Sequence, residues 1–194
     1  MRRPSIPRRF LDWRWLPAYG VVVSLLLLAH PAPAPLAAGA ALIGLGVLLR
    51  VWSVGHLVKT RRLIRSGPYA YLRHPLYAGT LLIGTGFALA AGGPAAPIAA
   101  ALLLALFFGY YLPYKERIES ARLERHYGDA YRLYRASVPA LVPLGRRWPP
   151  PERGHAAEPL PRWSAARFRA SSESITVLAA LLGLLALGAR AATG

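Results

Sequence analysis

Between Ser66 and Gly79 the chain reads SGPYAYLRHPLYAG, which sets Tyr69, Tyr71, Arg73, His74 and Tyr77 close together. A second polar run, LPYKERIESARLERHYGDAY, carries Lys115, Glu116, Arg117, Glu119, Arg122, Glu124, Tyr127 and Tyr131. Arginine offers a planar fork that can hold a carboxylate through two hydrogen bonds. Histidine can donate to the same group or act as acid or base near neutral pH. Pro75 suits the first position of a helix, where its missing N–H costs nothing. The free N–H groups that follow, with the helix dipole, favour an anion at that spot. Glu119 can accept hydrogen bonds from sugar hydroxyls or an ammonium. Together these types suit a zwitterionic, sugar-bearing ligand.

Each residue also has a plainer reading. Arg73 can be a charge that sets membrane topology. Tyr69, Tyr71 and Tyr77 can form an interfacial aromatic belt. Glu116, Glu119 and Glu124 can pair with Lys115 and Arg122 three or four residues away on a solvated helix. Arg50 can extend its charge toward the cytoplasmic side. His30 and His155 read as loop residues, and His56 and His126 as helix-surface residues. Without cysteine there is no disulfide, thiolate nucleophile or thiolate ligand, and no carboxylate pair stands at ligand spacing, so a metal site is not expected.

The elements that must position these residues are apolar. Of the 194 residues, 55% are hydrophobic and 16% charged, and the formal net charge is +16. Apolar runs cover Leu16–Ala29, Leu36–His56, Leu76–Gly92, Pro94–Leu112 and Ile175–Ala189, with Arg50 the single cation inside them. A bilayer core needs about 20 helical residues, with a lower limit near 17. The second and fourth runs meet this comfortably and the third just does, while the first and last need flanking residues. No convincing small-residue cleavage site follows the first run, which is therefore expected to be a retained helix.

The cations alternate between loops. Arg2, Arg3, Arg8, Arg9 and Arg14 precede the first run, and Lys59, Arg61, Arg62, Arg65 and Arg73 follow the second. The connections His30–Pro35 and Gly92–Pro97 contain neither Lys nor Arg. This positive-inside pattern predicts a cytoplasmic N-terminus and puts the polar runs on the cytoplasmic face. It also explains the basic excess as topology, so no nucleic-acid partner is expected. HPAPAP and GGPAAP should close two helical hairpins. Gly39, Gly44 and Gly46 in one helix, and Gly79, Gly84 and Gly86 in the next, would allow close approach. The hairpin Leu76–Leu112 brings its two ends back to one face, so Arg73–Tyr77 should lie beside Tyr110–Glu119. Pro113–Arg135 continues the fourth helix into water, Gly128 caps it, and Asp129–Ala136 forms a short helix.

The fold expected is all-α: a polytopic membrane protein with four core transmembrane helices, a fifth at the C-terminus and a cytosolic helical region. Residues 1–144 would form the membrane core, with cytosolic site segments at 59–75 and 113–143. A basic, proline-rich linker would follow at 145–172, lying on anionic headgroups. An accessory hydrophobic helix would occupy 173–194, either spanning the bilayer or lying in its interface.

GPYAYLRHPLYAG, a hydrophobic hairpin and then ERIESARLERHYGDAYRLYRASVPALVP resemble the isoprenylcysteine carboxyl methyltransferase family, which is grouped with phospholipid methyltransferases. The resemblance covers Arg50 to Pro143. It implies an integral membrane enzyme that uses S-adenosylmethionine and a lipophilic small-molecule or prenylated acceptor entering from the bilayer. Tyr69, Arg73, His74, Pro75, Tyr77 and Gly79 match the first motif; Glu119, Leu123, Gly128, Tyr131 and Tyr134 match the second. It implies that Arg73 and His74 hold the cofactor's carboxylate end and Glu119 its ribose or ammonium, with Tyr69, Pro75, Tyr77, Gly79 and Tyr131 completing the cofactor site. Arg73, Glu119 and Arg117 are the expected catalytic set, with Arg117 or Lys115 steering an acceptor carboxylate. The family often has two glutamates where this chain reads Glu119-Ser120. Methylation of a carboxyl or hydroxyl oxygen is placed ahead of sulfur or nitrogen. Phospholipid N-methylation and a non-catalytic membrane scaffold are the alternatives. The Ala/Arg/Pro/Gly-rich composition points to a bacterial gene, hence an inner-membrane location.

Overall fold

The computed structural model describes residues 28–58, 63–143 and 161–193. The expected helix Leu16–Ala29 (its last two residues apart), the basic N-terminal tail, the cations Lys59, Arg61 and Arg62, and most of the proline-rich linker lie outside the described residues. The regular elements among the described residues are all helical, with no β-strand among them.

Helix α1, Pro33–His56, opens with prolines in its first turn. The HPAPAP prolines thus begin this helix instead of only preceding it, because a first-turn N–H has no intrahelical partner to lose. A 3-10 turn, Gly67–Ala70, follows. Helix α2, Pro75–Ala91, starts on Pro75 and ends at Gly92 with φ 60°. The two uncharged connections lie side by side at the far end of the hairpin, where the His30 amide donates to the Ala91 carbonyl at 2.8 Å.

Helix α3, Ala95–Leu106, runs through a π-helical segment, Phe107–Tyr111, into α4, Leu112–Tyr127. The π segment has a local cause. Pro113 brings no N–H to the ladder and crowds the carbonyl four residues earlier, so the chain widens one turn before it. The Leu112 amide accordingly donates to the Phe107 carbonyl, five residues back. Gly128, at φ 52°, then turns the chain into α5, Asp129–Ser137. A short helix α6, Ala165–Arg169, leads to α7, Glu173–Thr193.

Three helices among the described residues are long and apolar enough to cross a membrane: Pro33–His56, Ala96–Tyr127 and Glu173–Thr193. Helix α2, with 17 residues, sits at the lower limit. The architecture is therefore an all-helical integral membrane fold.

Helices α1 and α2 pack antiparallel along glycines seven residues apart. A methyl group at Gly46 would lie 2.7 Å from the Gly79 carbonyl oxygen, and one at Gly86 would lie 2.7 Å from that of Gly39. Such contact is closer than any side chain allows, so the seam depends on these four positions. Gly84 instead faces Leu103 of α3, and Gly44 meets nothing within 4 Å among the described residues. The seam thus uses Gly39 and Gly46 of α1, not Gly44, whose helical phase points elsewhere. Gly46→Leu should destabilise the protein by about 1–3 kcal/mol through overpacking, and by more than Gly44→Leu, whose added side chain meets no described residue. Thermal unfolding of both variants in detergent micelles measures the difference.

Candidate functional site

Two stretches of irregular main chain meet on the side of the helices that holds the polar runs. The amides of Arg73 and His74 donate to the carbonyls of Pro139 and Ala140 at 2.8 and 2.9 Å. Arg73 Nε adds a bond of 2.9 Å to the Val138 carbonyl. Buried Tyr134 of α5 donates its hydroxyl to the Tyr69 carbonyl at 2.7 Å. Tyr131, 1% exposed, packs with Tyr134 and Val138, and its hydroxyl meets Ser120 Oγ at 2.8 Å. Ser120, where the resembled family often has a second glutamate, is thus a small buried partner of Tyr131.

Helix α4 brings its carboxylates to this segment. Tyr77, in the first turn of α2, donates to Glu119 Oε1 at 2.7 Å. His74 Nδ1 stands 3.6 Å from Glu119 Oε2, too long for a hydrogen bond. The His74 ring stacks on Tyr77, with centroids 5.2 Å apart, and Tyr111 of the π segment packs edge-on against Tyr77. Arg73 Nη1 lies 2.7 Å from Glu116 Oε1, an ion pair without hydrogen-bond alignment. Glu116 and Glu119 therefore face the RHP segment instead of pairing within their own helix. Glu124 pairs with Arg132 of α5 at 2.6 Å, not with Arg122.

Buried side-chain polar atoms without a hydrogen-bond partner are rare in folded proteins. Among the described residues there are four: Arg65 Nε, Tyr69 Oη, Arg73 Nη1 and His74 Nε2. All lie within ten residues of chain. Burial first, and the neighbouring Arg73 next, hold the His74 imidazole below its ordinary pKa of 6.5, against the pull of Glu119 and Glu116. His74 is therefore neutral at pH 7, with one nitrogen to donate and one to accept. Burial likewise pushes the Tyr69 phenol above its ordinary value, so Tyr69 stays protonated.

The structure brings Tyr69, Arg73, His74, Pro75, Tyr77 and Glu119 together, with Tyr131 one layer behind them. It does not bring Arg117 to this cluster: Arg117 is exposed on an open cleft beside Glu116, Ser120, Glu124 and Arg135. Gly79 lies in the α1–α2 seam against Gly46 and Arg50, so packing accounts for it. One other expectation changes. His56 is buried under the 3-10 turn, its ring against Gly67, not on a helix surface. Arg50 reaches the helix ends that flank the polar segments, as expected, but is held there by Glu173 of α7. Tyr111 beside Tyr77 and Glu116 beside Arg73 fall within the expected meeting of 73–77 with 110–119, whereas the carbonyls of Val138, Pro139 and Ala140 were not foreseen. The only hint in the sequence was that VPALVP could continue no helix.

Residues 35–130 match the family model for phospholipid methyltransferase. The chain is similar to protein-S-isoprenylcysteine O-methyltransferase of Schizosaccharomyces pombe, with 33% identity over 97 residues, 47% of this chain and 39% of that protein. It is also similar to protein-S-isoprenylcysteine O-methyltransferase B of Arabidopsis thaliana, with 32% identity over 118 residues, 55% of this chain and 58% of that protein. A second Arabidopsis thaliana protein, O-methyltransferase A of the same type, is 31% identical over 97 residues, 47% of each chain. The matches thus span about half the length of these curated relatives. No solved structure matches the chain.

The depressed His74 pKa has a pH signature. The unfolded chain binds more protons than the folded one between the folded value and 6.5, so stability rises with pH across that window. The contribution is complete above pH 6.5 and is lost as pH falls through the window. The midpoint temperature should drop more between pH 7.5 and 5.5 for the parent chain than for His74→Asn.

Proposed function

Because residues 35–130 belong to the phospholipid methyltransferase family, we propose that this chain is an integral membrane methyltransferase whose donor is S-adenosylmethionine. The observation that carries the proposal is the group of buried polar atoms without a hydrogen bond in residues 65–74: Arg65 Nε, Tyr69 Oη and His74 Nε2, beside Arg73 Nη1, which has only its ion pair with Glu116. Such atoms each cost about 1–3 kcal/mol if left without a partner, and a polar ligand settles that cost. Their types fit this cofactor. Arg73 and neutral His74 present N–H groups to a carboxylate. Glu119, held by Tyr77, keeps acceptor capacity for ribose hydroxyls or an ammonium. Tyr69 adds a protonated phenol, and Tyr131 supports the wall from behind through Ser120.

Bound there, S-adenosylmethionine supplies a methyl group on a cationic sulfur, transferred by in-line displacement. The chain's own contribution is orientation, which can be worth about 7–11 kcal/mol when reactants are well aligned. Arg73 and Glu119 are the residues expected to matter most for catalysis. Arg117, on its open cleft beside Glu116, is suited to steering an anionic end of the acceptor.

The acceptor is a lipophilic molecule that enters from the bilayer, and the methylated atom is a carboxyl or hydroxyl oxygen. The names of the curated relatives support this reading. The family description favours a second one, N-methylation of a phospholipid head group. By the charge pattern, the N-terminus and the site face the cytoplasm, in a bacterial inner membrane. Residues 1–144 form the catalytic core, and 173–194 an added helix.

Purified in detergent, the chain should bind S-adenosylmethionine, and Arg73→Ala and Glu119→Ala should each weaken binding by about tenfold or more, as loss of a charged hydrogen bond implies. Parent-like affinity in both variants would defeat the site assignment, and no binding by the parent would leave the scaffold reading. In membranes supplied with methyl-labelled donor, label released by mild base as volatile methanol indicates a methyl ester. Label that stays non-volatile indicates N-methylation or an ether.

A further inference from the structure

Residues 161–173 fold back across the cytosolic end of α1. Trp163 Nε1 donates to the Val51 carbonyl at 3.2 Å, and the Ser164 amide and Arg167 Nε donate to the Gly55 carbonyl at 3.0 and 2.8 Å. Gly55 belongs to the last turn of α1, whose carbonyls lack intrahelical donors. The segment is therefore a cap as well as a connection. It reaches the RHP region at two points. Ser66, which precedes the 3-10 turn bearing Tyr69, donates through Oγ to the Pro161 carbonyl at 2.9 Å. Glu173, at the start of α7, takes Arg50 in a bidentate pair, with Nε–Oε2 at 2.9 Å and Nη2–Oε1 at 2.6 Å.

Arg50 has one more nitrogen. Its Nη1 donates to the Leu76 carbonyl at 3.1 Å and to Thr80 Oγ1 at 2.5 Å. Leu76 is the residue before Tyr77, in the first turn of α2. One guanidinium thus joins α1, α2 and α7. Both charges are largely buried, with side-chain exposures of 17% for Arg50 and 9% for Glu173. A buried guanidinium that loses its carboxylate cannot remain where it is without a large penalty. At bilayer depth it would turn toward water, and its hold on the first turn of α2 would go with it.

We infer that the C-terminal segment 161–193 is a positioning strap for the donor site, with Glu173 acting through Arg50 to fix the turn that carries Tyr77 against Glu119. Glu173 touches no residue of the site and is a positioning residue. This inference rests on the methyltransferase reading for its affinity readout, and has a second readout that does not.

The test uses the full chain in detergent and three variants: Glu173→Gln, Glu173→Asp, and the exchange Arg50→Glu with Glu173→Arg. Each is measured for S-adenosylmethionine affinity, midpoint temperature and amide hydrogen exchange over residues 66–80. Glu173→Gln should lose about tenfold in affinity, as for a charged hydrogen bond, and speed exchange in 66–80. Glu173→Asp should recover part of both. The exchanged pair can restore the attraction between α1 and α7, but a glutamate at position 50 cannot donate to the Leu76 carbonyl. The midpoint temperature should therefore recover in the exchanged variant while affinity and exchange protection stay low. Parent-like affinity in Glu173→Gln, or recovery of all three readouts by the exchange, overturns the inference. If the parent binds no S-adenosylmethionine, the functional reading fails separately. Exchange over 66–80 then decides the strap alone: faster in Glu173→Gln sustains it, unchanged refutes it.

Discussion

Residues 73–74 and 138–140 belong to no helix, and each supplies what the other lacks. Main-chain N–H groups shut away from water must find acceptors. The amides of Arg73 and His74, the last before α2 begins, find theirs on Pro139 and Ala140, just beyond α5. The rest of the site follows from this pairing. It draws α5 against the 3-10 turn, so Tyr134 can reach the Tyr69 carbonyl. It seats Tyr131 over Ser120, which ties α5 to α4. With α4 held, Glu116 and Glu119 meet Arg73 and Tyr77. Charges that would be costly near a bilayer are gathered at one place and mostly matched there.

Much of this arrangement was legible in the sequence because it is local. Pro75 announced the start of α2 and Gly128 the end of α4, since each residue has a backbone preference that few positions accept. The meeting of Tyr77 with Glu119 was legible too, because a helical hairpin must return near its origin. What was hidden depends on rotational phase or on distance along the chain. Gly44 and Gly46 look equivalent as letters, yet only Gly46 faces α2. Glu116 and Glu124 each had a plausible partner within their own helix and took one outside it. Arg50 and Glu173 stand 123 residues apart, and nothing in either neighbourhood names the other. The buried position of His56 likewise depends on Gly67, whose φ of 57° lets the turn lie on the ring.

The pattern of polarity along the helices also separates two kinds of surface. Leu45, Leu48 and Trp52 of α1, Leu102 and Leu106 of α3, and Leu178 and Leu185 of α7 are exposed, as suits helices bathed in acyl chains. Polar contacts sit near the ends of the same helices. In lipid the hydrophobic effect does not hold helices together, so the fold relies on close glycine packing and a few directional bonds.

The unbroken helix from Ala96 to Tyr127 has 32 residues and so measures about 48 Å, against a hydrocarbon core of about 30 Å. It works as a shaft whose upper part is set by lipid and whose lower part carries the carboxylates. Adding or removing one residue along it would turn everything beyond by about 100° and shift it by about 1.5 Å. The π segment is such an offset already built in, and it sets the bearing on which Glu116 and Glu119 leave the membrane. Changes of chain length between Phe107 and Glu119 should therefore be far scarcer in descendants of this gene than changes of residue type. In the turn at Gly128, beyond the shaft, length has no such angular consequence for the carboxylates.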